Sequence, residues 1–163
     1  MMKAPKLLAA LAGIAIALNA ASACAEQATL AQAKDLVKKA RASLRQNGCA
    51  KTFEEVTHGS AFRDPAHKEL YIYIYDEKLN NLAHGGNAKL VGKNLWDMKD
   101  TKGRALNQEL LKVAKRGGGE VEFDFLNPAT GMVDPKVGWA EIEDKTDCGP
   151  VMVGSGVYRP KAK

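Results

Sequence analysis

Cysteine, histidine and aromatic residues are scarce in this sequence. Its 163 residues include three cysteines, three histidines and two tryptophans, and Phe, Trp and Tyr together make up 6%. The histidines, His58, His67 and His84, have no metal-ligand spacing, and the acids and bases are scattered rather than grouped. Neither a metal site nor a catalytic constellation is therefore expected, and no cofactor. No Cys-x-x-Cys occurs, which removes thioredoxin-like, zinc-ribbon and covalent-haem chemistry. The run Gly117-Gly118-Gly119 ends a helical pattern and lacks the Lys-Ser/Thr of a phosphate loop. Gly154-Ser155-Gly156 runs on as a strand, whereas a nucleophile elbow needs a strand-to-helix turn. These absences point away from an enzyme.

Only one long apolar run is present. Residues 7–18 contain only Ala, Gly, Ile and Leu, preceded by Lys3 and Lys6 and followed by the small residues of 20–25. This is the order of a secretory signal peptide, with cleavage expected after Ala25, and the run falls short of the roughly 20 residues that span a bilayer. An uncleaved anchor and lipidation at Cys24 are the competing readings. Residues 26–163 then form one domain, expected in the periplasm. Loss of Lys3 and Lys6 lowers the formal net charge from +5 to +3. That charge is mild and dispersed, so nucleic acid is not an expected partner. Cys49 and Cys148 remain, an even number in an oxidising compartment, which points to one disulfide; two free buried thiols are the alternative.

The mature chain opens with a helical pattern in which Leu30, Ala33, Val37, Ala40 and Leu44 share one face. Thr29 and Gln32 fit a capping box, and Gly48 suits the helix end. A second short helix is expected over 53–56. Residues 70–75 alternate Tyr with Leu or Ile, which predicts a strand with one tyrosine face, returning as a second strand over 82–84. Asp100 is expected to cap a helix over 103–115. Three strands follow, over 120–126, 137–143 and 151–158. Short turns between consecutive strands favour antiparallel pairing, giving an α+β domain with the first helix lying across the sheet.

Several segments taken together resemble the single Cache domains of bacterial sensors, specifically the sCache type 2 pattern. They are Tyr71-Ile72-Tyr73-Ile74-Tyr75-Asp76, Leu82-Ala83-His84, Leu90-Val91-Gly92-Lys93-Asn94-Leu95, the block from Asp100 to Gly103, Asn127-Pro128, Pro135-Lys136 and Val153-Gly154-Ser155-Gly156-Val157-Tyr158. The likeness covers roughly 35–158, and one departure is Gly85 after His84, where the family commonly has Pro. The resemblance implies a PAS-like antiparallel sheet with a long N-terminal helix. It also implies a pocket for a small organic ligand, often a short carboxylate. Family members usually sit between membrane helices and feed a kinase or chemoreceptor. This chain ends at Lys163, so it is expected to lack its own output and to serve a separate membrane sensor kinase or chemoreceptor. An interaction or structural protein built on an empty Cache-like fold is the alternative.

The resemblance places Lys136 in the ligand-contacting strand, where it pairs with a carboxylate; otherwise it is one more surface lysine. Tyr71, Tyr73 and Tyr75 either line the pocket with their hydroxyls or form a half-exposed sheet face. His84 either donates to an anionic ligand or is held locally at a strand end. Trp96 is a candidate pocket wall, as is Trp139, with core packing as the alternative for both. Arg63 offers a bidentate fork for a carboxylate.

Overall fold

The computed structural model describes residues 27–159. The proposed leader, Cys24 and the last four residues lie outside that range. Helix α1 spans Leu30–Asn47, closed at its start by the Thr29/Gln32 capping box. Gly48, at φ +80°, breaks it from α2, Cys49–Thr57. Strands β1 (Tyr73–Asp76) and β2 (Asn81–His84) form a hairpin. A 3-10 turn at Ala88–Leu90, helix α3 (Leu106–Ala114) and strands β3 (Gly119–Leu126), β4 (Val133–Glu143) and β5 (Val151–Tyr158) complete the chain.

The five strands form one sheet in the order β2-β1-β5-β4-β3, and every neighbouring pair is antiparallel. Strand alternation divides the core. Ile72, Ile74, Val151 and Val153 face Val37, Ala40 and Leu44 of α1 and Val56 of α2. Tyr71, Tyr73, Tyr75, Phe123 and Met152 face Leu106, Leu110 and Leu111 of α3, with Leu79 and Leu95. The sheet is thus covered on both sides, and all three tyrosines are buried. The half-exposed tyrosine face is thereby excluded.

Boundaries differ from the sequence reading where side chains compete with the ladder. The strand expected over 70–75 pairs regularly only from Tyr73, because Tyr71 makes an isolated bridge to Arg63. The short helix expected over 53–56 extends back to Cys49. Asp100 does not cap α3, which starts at Leu106 after Ala105. Its carboxylate instead accepts from the backbone N–H groups of Lys102 and Arg104 (both 2.9 Å) and pairs with the Arg104 side chain. Strand β4 begins four residues before the expected 137, running through Pro135, which pairs with Asp124.

Close approach fixes two glycines. A Cβ on Gly154 would lie 2.2 Å from the Tyr73 ring, and one on Gly138 would lie 2.8 Å from the Phe123 ring. The aromatic layer lies directly on backbone there. The opposite side is tied by charge and by sulfur. Arg41 and Arg45 of α1 both reach the buried Glu143 of β4. Cys49 is bonded to Cys148.

Candidate functional site

The tyrosine face of the sheet and the segment from Gly86 to Thr101 enclose a cavity of about 390 Å³. Tyr71 and His84 line it, with Leu90, Met98, Phe125, Leu126, Pro128 and Val133 on its apolar side and Lys99, Asp100, Thr101 and Asp124 on its polar side. Behind it lies a smaller chamber of about 10 Å³, walled by Tyr73, Tyr75, Leu106, Asn107, Leu110, Phe123 and Lys136. Tyr71, His84 and Phe125 belong to both. The smaller space is about the size of one water.

Lys136 is the chemical centre of this region. It points inward from β4 opposite Phe123 of β3 and is 1% exposed. Its Nζ donates to the Tyr71 hydroxyl at 2.9 Å and lies 4.0 Å from the Tyr71 ring centroid and 4.7 Å from that of Tyr158. Aromatic faces attract a cation but do not neutralise it. No carboxylate of the described residues lies within ion-pair distance of this ammonium. Burial consequently holds its pKa down to about 7, with Glu69 pulling upward. The hydroxyl chain runs onward: Tyr71 lies 3.4 Å from Tyr158, which donates to the Leu126 carbonyl at 2.7 Å. Burial raises the pKa of both phenols, so they act as neutral donors.

His84 sits beside this cation, its ring 5.1 Å from Tyr71. Its Nδ1 accepts the backbone N–H groups of Gly86 (3.2 Å) and Asn87 (2.9 Å). The neutral ring therefore carries its proton on Nε2, which is left as a donor. Burial, then the Lys136 charge, lowers its pKa to about 3. The consequence for stability follows from its sign. Above the ordinary value of about 6.5 both folded and unfolded forms are neutral, and below it only the unfolded chain takes up the proton. Stability is therefore lost as pH falls from about 6.5 towards 3. The Asp100 carboxyl, which burial pushes up but hydrogen bonds from Arg104, Asp124 and Lys102 bring down to about 2, adds its own loss only below about 4. Between pH 6.5 and 4 the wild type should lose about 2–3 kcal/mol that His84→Gln does not. Thermal melts of both proteins across that range check this, and parallel pH profiles would refute it.

Comparisons with known proteins identify the family and the fold. The profile of the Single Cache domain 2 family matches residues 8–159. The chain belongs to that family. A sensor histidine kinase of Rhizobium johnstonii, MctS, is 33% identical over 91 residues, which is 56% of this chain and 19% of the kinase. The chain thus spans about a fifth of that relative's length. A methyl-accepting chemotaxis protein from Vibrio parahaemolyticus superposes with a TM-score of 0.66 at 25% identity, over 78% of this chain and 86% of that one. A Cache chemosensory domain studied for carboxylic acid recognition shares the fold at 22% identity, with a TM-score of 0.64, over 80% of this chain and 92% of that one. The fold expected from the sequence, an α+β Cache domain with a PAS-like antiparallel sheet, is the one observed.

Within this Cache domain Tyr71, Tyr73, Tyr75, His84 and Lys136 converge on the two chambers. Two other candidates do not. Trp96 is 42% exposed and lines neither space, because its neighbour Leu95 turns inward in its place. Arg63 is exposed, and its guanidinium donates to the Thr57 carbonyl, which ties it to the end of α2. Trp139 packs against the α1 side of the sheet, with Lys34 over its ring. Sequence reasoning missed Met98, Phe125 and Asn107. Asn107 had a signal: it is the one polar residue at the 107, 110, 111, 114 spacing of the α3 stripe.

Proposed function

We propose that this Cache domain is a ligand-binding sensor module for a short organic carboxylate, and not an enzyme. One observation carries the reading: Lys136 is a fully buried ammonium whose hydrogen bond goes to a tyrosine hydroxyl rather than to an acid. Buried charges are ordinarily paired, and an unpaired one facing a cavity calls for a mobile anion. The Lys136 ammonium, the His84 Nε2–H and the Tyr71 hydroxyl are the donors for its oxygens. Tyr73 and Tyr75 close the polar end, and the apolar walls of the larger chamber receive the carbon body. The structural neighbour studied for carboxylic acid recognition supports the same class.

Residues 1–25 are proposed as a cleaved signal peptide and 26–163 as one periplasmic domain. The relatives are a sensor kinase and a chemotaxis protein, so a membrane partner of that kind is the proposed receiver of the ligand state.

Thermal melts with a panel of short carboxylates, amines and nucleobases test the reading. A ligand at about 100 times its Kd stabilises by about 2.7 kcal/mol. Carboxylates should shift the melt and amines should not. A folded protein that responds to no carboxylate would instead support an interaction protein built on an empty Cache fold. Binding should also be linked to protons. Below pH 7 the free Lys136 is already charged, so affinity is flat. Above pH 7 it must take up a proton to meet the anion, and affinity should fall about tenfold per pH unit. Calorimetry at pH 8 in two buffers of different ionisation enthalpy should show uptake close to one proton. Release of protons, or none exchanged, would rule out Lys136 as the anion's partner.

A further inference from the structure

We propose that Asn107 makes this site selective for carboxylates with a hydroxyl on the adjacent carbon, a deduction that rests on the carboxylate reading above. Asn107 is 1% exposed and lies in the first turn of α3, lining the smaller chamber with Lys136 and His84. Its amide orientation is fixed. Nδ2 donates to the Leu95 carbonyl at 3.1 Å and lies 3.7 Å from Met98 Sδ. An oxygen in that position would face the Leu95 carbonyl acceptor to acceptor, so the nitrogen belongs there. Oδ1 is left over, and no donor of the described residues reaches it.

The chamber thus pairs a set of donors with one acceptor. The carboxylate oxygens meet these donors from the junction that Tyr71 and His84 share with the larger cavity, since the smaller chamber has room for only about one water-sized group. Oδ1 cannot take a carboxylate oxygen, because two acceptors repel. It needs a donor held close to the carboxylate, and the next carbon is the nearest place to carry one. The charge of that donor is also decided. The smaller chamber has no aspartate or glutamate among its walls, and Lys136 already brings a positive charge into it. A 2-ammonium group would add a second buried cation without an acid to meet it. A neutral hydroxyl satisfies Oδ1 at no such cost. A 2-oxo acid offers only an acceptor, and an unsubstituted acid offers nothing. Both leave Oδ1 unpaired once the ligand displaces water, and sites built for a substrate hydroxyl reject analogues that lack it.

Titration calorimetry of the full chain with four three-carbon probes tests this: 2-hydroxypropanoate, 2-oxopropanoate, propanoate and 2-aminopropanoate. The hydroxy acid should bind about 10- to 100-fold more tightly than the other three. In Asn107→Leu, which keeps the branched shape and removes the acceptor, the preference should fall to within about threefold while the carboxylates still bind. Equal or tighter binding of the 2-oxo or unsubstituted acid to the wild type would overturn the selectivity and leave the carboxylate reading standing. A preference that survives in Asn107→Leu would overturn the assignment to this residue. No binding of any probe would remove the carboxylate reading and this inference with it. The wild-type series decides selectivity even if Asn107→Leu does not fold.

Discussion

Lys136→Met is expected to stabilise the empty protein and to abolish its response to carboxylates. Removing a residue that makes a hydrogen bond and touches aromatic rings ordinarily lowers stability. Here the balance reverses, because burial lowers the Lys136 pKa to about 7. An unfolded lysine keeps its ordinary value near 10.4, so the unfolded chain binds the proton more strongly and folding works against it. By linkage this cost is largest below pH 7, at about 5 kcal/mol, and shrinks as pH rises from 7 towards 10.4. Methionine fills similar space without a charge, and such replacements of buried charges gain about 1–4 kcal/mol. For a domain of this size the melting temperature should rise by about 5–15 °C at pH 6 and by less at pH 9. Affinity for a carboxylate should fall about 100-fold, since a hydrogen bond between charged groups is lost in a desolvated site. A lysine kept for structure would give the opposite sign in the melt. A lower melting temperature with unchanged affinity would sink the assignment.

The same calculation explains why the site is polar at all. Lys136, His84 and Asn107 each place an ionisable or hydrogen-bonding group where an apolar one would fold more easily. Local rules broken in this way, against the interest of stability, are expected at functional positions. His84 contributes acid lability, Lys136 a cost at neutral pH, and Asn107 an acceptor without a donor. The three lie against one chamber rather than scattered through the core.

The layers of the fold were legible from periodicity. Alternation in 70–75 put the tyrosines on one face, and the apolar stripe of α1 required a flat partner; both follow from the fixed periods of strand and helix. Periodicity could not say which face of the sheet would be covered by α3 and which by α1. Periodicity therefore leaves the tyrosines open between pocket and solvent; in the fold α3 packs over Tyr73 and Tyr75, and the irregular segment from Gly86 to Thr101 borders the cavity beside Tyr71. Trp96 lies outside both chambers for a related reason. It lies in that irregular segment, where no period relates one side chain to the next, and a one-residue difference exchanged it with Leu95. Lys136 was placed by family resemblance; nothing in its local pattern separates it from the surface lysines. Asn107 was visible as a polar residue in an apolar stripe, but its meaning depends on Leu95 and Met98, which only the folded chain brings to it.

The double variant Cys49→Ser/Cys148→Ser should have the converse effect, losing stability while keeping its ligand. The bridge spans 99 residues of sequence and joins the start of α2 to the loop between β4 and β5. Closing a loop of that length restricts the unfolded chain by up to about 4.7 kcal/mol on the chain-entropy argument. The folded state loses less. Asp147 still accepts from the Cys49 backbone N–H at 2.8 Å, and Glu143 still holds Arg41 and Arg45 of α1 against β4. The effect therefore lies mainly in the unfolded state. The melting temperature should fall by more than about 10 °C. The urea m-value should rise, because the released chain exposes more surface. The bridge belongs to the α1 and α2 side of the sheet, across from the tyrosine layer, so carboxylate affinity should stay within about twofold. An unchanged melt would show that the bridge does not constrain the unfolded chain. A large loss of affinity in a folded variant would show that the two faces of the sheet are coupled. Set beside Lys136→Met, which gains stability and loses the ligand, this variant separates what holds the domain together from what the domain holds.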